Sequence, residues 1–146
     1  MTATIPQPNS SPSAADEADV LVENLAALWS VEPALAAMLD AVPDDLKISL
    51  IPARSGSPTA AVDNGAGQTI HLHSRYDPQD EAAKLVARHP ADENCHVLFV
   101  LGFGLGYHVK AFSERSSEAT LWVFEPNVAV VLAALSVCDF SKAILD

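Results

Sequence analysis

Apolar positions along the chain change period several times, and each change marks an element. From Asp16 to Trp29, residues Val20, Leu21, Leu25, Leu28 and Trp29 recur at helical spacing. Ser30 then reads as an N-cap, with Pro33 in the first turn of a second helix. That helix carries Leu35, Met38 and Leu39 and stops before Pro43. Residues 16–45 are thus predicted to be a helical hairpin with Trp29 and Met38 in its core.

The period shortens at Leu46. LKISLIPA alternates like a strand, Arg54 to Ser57 reads as a turn, and PTAAV as a second short strand with Pro58 at an edge or start. Asp63-Asn64-Gly65 is a strong hairpin signal, and QTIHLHS returns as a third strand. Pro78 to His89 then reads as a helix, with Asp77 as N-cap, Pro78 at N1 and Asp80 and Glu81 in the first turn. Residues 46–91 are a small antiparallel β-meander followed by a helix.

Beyond the loop PADEN, HVLFVLG is a continuous apolar run of the kind buried in parallel sheets. GFGLG follows, then a helix from about Leu105 to Arg115. TLWVFEP is a second apolar strand, Asn127 caps VAVVLAALSV, and KAILD reads as the start of another strand. Strand–helix–strand–helix with apolar strands is a parallel βαβ pattern. The fold class is therefore α/β: a helical hairpin and β-meander, then the start of a Rossmann-like domain over residues 92–146. A two-stranded parallel sheet leaves apolar faces and edges that more chain, or self-association through an edge, would cover.

Composition sharpens this picture at the ends. Residues 1–15 are rich in Pro, Ser and Thr without apolar periodicity, which predicts a disordered tail. They have neither the basic start nor the apolar run of a secretory signal. The net charge is −11, and −8 of it falls within residues 1–46. That balance argues against nucleic acid and anionic membrane as partners. Cys95 and Cys138 are too few for a disulfide framework, so a reducing cytoplasm is the expected compartment. Cys95, Cys138 and His89 read as structural.

Two segments carry candidate chemistry. In the first, a strand runs into Gly102, Gly104 and Gly106 and on into a helix. Glycine permits positive φ and close approach of a ligand to the backbone, and the helix N-terminus favours phosphate or carboxylate. Glu125, at the end of the next strand, can accept hydrogen bonds from a ribose hydroxyl pair. The spacing is GxGxG, because Tyr107 stands where GxGxxG would need its last glycine. GxGxG resembles the first motif of S-adenosylmethionine-dependent methyltransferases, although Val100 stands where those enzymes usually carry an acid. A glycine-rich turn with no ligand is the plainer alternative.

The second segment is His71-Leu72-His73-Ser74-Arg75-Tyr76-Asp77-Pro78. Strand alternation puts His71 and His73 on one face, but no further ligand stands at zinc spacing. Ser74, Arg75 and Tyr76 either cap the next helix or line the crevice beside the glycine turn, where Arg75 could grip a phosphate. GxSxG, HExxH and P-loop patterns do not occur, and no catalytic nucleophile stands out.

Taken together, LHSRYDPQDEAAKLV, VLFVLGFGLGYHV and LWVFEPN resemble the motility accessory factor family of flagellin glycosyltransferase-like proteins over roughly residues 46–146. The archaeal 6-hydroxymethylpterin diphosphokinases resemble the same Rossmann-like core. The resemblance implies a nucleotide-dependent transferase. Its donor would be CMP-linked if a nonulosonate moves to flagellin, or ATP if pyrophosphate moves to a pterin. By motif match, Gly102, Gly104, Gly106, Tyr107 and Glu125 would lie at the ligand crevice, with Ser74, Arg75 and Tyr76 nearby. Members of the family continue well past the second Rossmann helix. This piece is thus expected to lack the acceptor side and to be inactive by itself. Two other classes remain open: an S-adenosylmethionine-dependent methyltransferase, and a non-catalytic binding or assembly module using the acidic N-terminal third.

Overall fold

A computed structural model describes residues 14–46, 48–63, 66–89, 96–116 and 118–145, with side chains from residue 19 onward. Residues 1–13 of the expected tail, the Asn64-Gly65 pair, the PADEN loop and Cys95 lie outside the described residues.

The chain opens with helix α1, Ala14–Val31, and helix α2, Pro33–Asp40. Ser30 does not cap α2. Its hydroxyl donates to the Ala26 carbonyl inside α1, at 3.0 Å, as a mid-helix serine can. Glu32 occupies the cap position without a side-chain bond. Trp29 and Met38 are also not core residues, at 47% and 55% exposed. The buried stripe runs through Asn24, Ala27 and Leu28 in α1 and through Ala36 and Leu39 in α2, which leaves the two larger side chains on the flanks.

A short 3-10 turn, Asp44–Leu46, takes the place of the expected strand start. Strands β1 (Leu50–Pro52), β2 (Pro58–Asp63) and β3 (Thr69–His71) then form the antiparallel meander in the order β1-β2-β3. The β2–β3 pairing ends at Asp63 opposite Thr69, so residues 64–68 connect the strands. That loop is longer than the two-residue hairpin the Asn-Gly signal suggests. Helix α3, Pro78–Arg88, begins as predicted, with the Asp77 carboxylate accepting from the amides of Gln79 and Asp80 at 3.0 Å.

The second half is the expected parallel unit. Strands β4 (Val97–Leu101) and β5 (Thr120–Phe124) pair in parallel register from Val97 opposite Thr120 to Leu101 opposite Phe124. Between them lies helix α4, Tyr107–Arg115, and after them helix α5, Val128–Val137, capped by Asn127. Leu98, Val100, Leu121 and Val123 meet the core formed with Leu105, Val109, Leu132 and Leu135. The alternate residues Val97, Phe99, Leu101, Trp122 and Phe124 form an exposed face, with Leu101 84% exposed. The apolar strands are therefore buried on one face and bare on the other.

The final segment corrects another expectation. Residues Ser141–Leu145 form helix α6 rather than a strand. Asp139 starts it by accepting from the amide and hydroxyl of Ser141, which also holds its carboxyl below the ordinary value. Helix α1 packs against α5 and α6. At that junction the buried Asn24 donates to the carbonyls of Leu135 (2.7 Å) and Cys138 (2.8 Å) and accepts from the amide of Phe140 (2.7 Å). One side chain thus satisfies carbonyls at the end of α5 and an amide at the entry to α6.

Candidate functional site

The site forms where β4 and β5 end. Gly102 continues the ladder by donating to the Phe124 carbonyl at 2.9 Å, and the chain then turns through Gly102, Gly104 and Gly106 at φ of 89°, 52° and 85°. All three values lie where L side chains are strained, which is why the turn is glycine at these positions. The glycines differ in their surroundings. A Cβ on Gly104 would meet the His73 imidazole at 2.6 Å, and one on Gly106 would meet the Phe140 ring at 2.8 Å. A Cβ on Gly102 would meet nothing within 4 Å. Two of the vacant side-chain positions are therefore filled by protein, and the third faces open space.

Glu125 joins the two strand ends. Its Oε2 accepts from the Phe103 amide at 2.9 Å and its Oε1 from the Asn127 amide at 3.0 Å. The carboxylate thus fixes the start of the glycine turn relative to the start of α5. A carboxylate has about four lone-pair directions, so each oxygen keeps capacity for a further donor. His108 approaches from α4, with Nε2 3.0 Å from the Gly102 carbonyl. A carbonyl only accepts, so Nε2 carries the proton in this contact. Tyr107 is turned away from the turn. It is buried, and its hydroxyl donates to the Pro58 carbonyl at 2.7 Å.

The histidine segment is a tightly bonded joint between β3 and α3. The Ser74 hydroxyl accepts from the amides of Tyr76 (3.1 Å) and Asp77 (3.3 Å). Glu81 reaches back so that Oε2 accepts from the Ser74 amide at 2.9 Å and lies 3.3 Å from His73 Nδ1. The carbonyls of Arg75 and Tyr76 accept from the amides of Arg54 and Ser55, and the Arg54 guanidinium lies 5.9 Å from the Tyr76 ring centre. Beside this joint is an open cleft of about 540 Å3, whose walls include His73, Ser74, Tyr76, Lys84, Arg88 and His108. Ser74 and Tyr76 therefore face the glycine turn's flank through His73 and His108, whereas Arg75 lies outside the cleft wall. Within the cleft Lys84 is paired with Asp80 at 2.5 Å.

A family model, Glycosyltransferase Maf N-terminal domain, matches residues 50–146. The chain belongs to this family. An uncharacterized protein of Treponema pallidum (strain Nichols) is 29% identical over 103 residues, which cover 68% of this chain and 32% of that protein. The solved Maf glycosyltransferase of Magnetospirillum magneticum AMB-1 matches with a TM-score of 0.69 at 16% identity, over 88% of this chain and 25% of that one. That likeness is one of fold. The chain spans about a third of the first relative and a quarter of the second.

In this Maf N-terminal domain, Gly102, Gly104, Gly106 and Glu125 come together as one unit, and the joint around Ser74 abuts it. The sequence did not single out His73 as the side chain against Gly104, nor Phe140 as the one against Gly106. His73 has a visible signal, two residues after His71, but β3 ends at His71, so strand alternation does not place the two on one face. Phe140 is brought to the turn by long-range packing, which spacing does not reveal. Among the described residues, no group of three or more His, Cys, Asp and Glu side chains could hold a metal ion, and no helix is long and apolar enough to cross a membrane.

Proposed function

We propose that this Maf N-terminal domain supplies one wall of a nucleotide-sugar site in a glycosyltransferase that takes a CMP-linked nonulosonate as donor and a Ser or Thr hydroxyl of flagellin as acceptor. The observation that carries this reading is the open side of Gly102 next to Glu125. There the Cβ position faces open space, while those of Gly104 and Gly106 are occupied. Crevices beyond the carboxyl ends of parallel strands are where α/β folds take such ligands. The donor's ribose would share the free lone pairs of Glu125, and its phosphate would face the N-terminal end of α4, where amide dipoles favour an anion. The acceptor hydroxyl and the groups that activate it would come from polypeptide outside these residues.

Calorimetry with CMP, 2′-deoxy-CMP, ATP and S-adenosylmethionine tests this reading. The expected result is binding of CMP, weaker binding of the deoxy compound, and loss of that discrimination in Glu125→Ala. Equal affinity of the wild type for CMP and its deoxy form would remove the ribose role of Glu125. Preference for ATP would favour pyrophosphate transfer, and S-adenosylmethionine binding would favour methyl transfer. Absence of all binding would overturn the nucleotide reading and leave an assembly module.

A further inference from the structure

We propose that His73, oriented by Glu81, is the positioning residue of the glycine turn, holding it in its receptive shape through an unprotonated Nε2. The proposal rests on the turn being the ligand wall described above. His73 Nε2 lies 2.8 Å from the Leu105 amide, which donates to it. An amide can only donate, so Nε2 is the acceptor and the ring proton sits on Nδ1, which faces Glu81 Oε2 at 3.3 Å. The same ring fills the space that a side chain on Gly104 would need. It meets Tyr107 edge-on at 5.2 Å between ring centres, and its own carbonyl accepts from the Thr59 hydroxyl at 3.1 Å. The residue is therefore held by its backbone from β2 and by its ring from α3 and α4, and the ring is itself a fixture of the turn.

This arrangement has a definite protonation requirement. A second proton on Nε2 would set two donors against each other across 2.8 Å and release Leu105. Burial, then the neighbouring His108, lowers the His73 pKa from its ordinary value, against the opposing pull of Glu81. Tyr107 is the other titratable side chain in contact with the ring, and Asp80, Lys84 and Arg88 of α3 line the cleft on the same side. The turn is thus held in shape at neutral pH and released as pH falls below the ordinary histidine range.

Nitrogen-detected NMR of the full 146-residue chain tests the proposal without mutation. The expected result is the Nδ1–H tautomer for His73, and a Leu105 amide that shifts in step with His73 protonation. In the variants, His73→Gln, whose amide oxygen can reach the Nε2 position, keeps the Leu105 shift, while His73→Phe loses it. CMP affinity should fall about tenfold in His73→Phe and recover in His73→Gln, the scale of one hydrogen bond. The proposal is overturned by the Nε2–H tautomer, by a Leu105 amide indifferent to His73, or by unchanged CMP affinity in His73→Phe. A wild type that binds neither CMP nor ATP overturns the nucleotide reading instead, and the tautomer and the Leu105 response still decide the brace.

Discussion

Replacing Asn24 with alanine tests whether the N-terminal helices are integral to the domain. The side chain is fully buried and makes three long-range hydrogen bonds of 2.7–2.8 Å to the α5–α6 junction. Alanine leaves the Leu135 and Cys138 carbonyls and the Phe140 amide without that partner at a buried junction. Each loss costs about 1–3 kcal/mol, with the lower end for carbonyls that gain water on relaxation. The expected total is about 3–5 kcal/mol, a large share of the roughly 5–15 kcal/mol that stabilises a typical domain. At this chain length that corresponds to a Tm fall of roughly 8–20 °C. Asn24→Asp is the sharper control. It keeps an acceptor for Phe140 but turns a carboxylate toward two carbonyls, so it should be at least as unstable at pH 7 and partly recover as the carboxylate is protonated. Urea unfolding followed by far-UV circular dichroism measures both. A loss below about 1 kcal/mol for Asn24→Ala would refute the argument, because buried groups left unpaired cannot be that cheap.

The three glycine variants should separate packing from binding. Gly102→Ala meets no atom and should lose only about 1–2 kcal/mol from the unfavourable φ, yet give the largest loss of CMP binding. Gly104→Ala and Gly106→Ala must also displace His73 or Phe140 and should be less stable than Gly102→Ala in the same urea titration. Equal stability of all three would contradict the geometry. Burial pushes the Cys138 thiol up to about 12, so iodoacetamide at pH 8 should leave it unmodified until urea is added, as read from the mass of its peptide. Because this pKa is raised, the associated stability is fully present below the unfolded thiol's value and is lost as pH rises toward about 12. His73 has the opposite sign. Its folded pKa is lowered, so its contribution is present above the unfolded value near 6.5 and disappears as pH falls through the folded one. Wild-type stability should therefore drop on acidification through that window by more than that of His73→Gln.

Local rules made much of this fold legible. The Asp77-Pro78 start of α3, the Asn127 cap of α5 and the two parallel strands all follow from caps and apolar runs. The misread elements were decided by something else. Ser30 has the right chemistry for a cap, but its hydroxyl finds the Ala26 carbonyl first. KAILD has the apolar residues of a strand, but Asp139 binds Ser141 and starts a helical turn there. Trp29 and Met38 are large, but burial follows the face of the helix rather than the size of the side chain. The glycines and Glu125 stand out by their spacing, and the structure brings them together at the ends of β4 and β5. Their hydrogen-bond partners do not stand out, since His73 reaches Leu105 across 32 positions of sequence.

Those long-range partners tie the parallel unit to the meander and to the helical hairpin. The glycine turn has three residues at positive φ, which only glycine adopts without strain. The meander reaches it through Thr59 and His73, which fills the space at Gly104. The helical hairpin reaches it through Asn24, which holds the Phe140 amide while the Phe140 ring fills the space at Gly106. Each module thus holds one wedge in place, and Glu125 ties down the amide between Gly102 and Gly104. The family match begins at residue 50, yet one of these wedges is held in place from residue 24. Residues 50–146 expressed without the hairpin should therefore expose the apolar α5, lose the support of Phe140 and leave the turn mobile. Amide exchange at Gly106 and Tyr107 reads this directly. Protection equal to that of the full chain would show that the hairpin has no part in shaping the site.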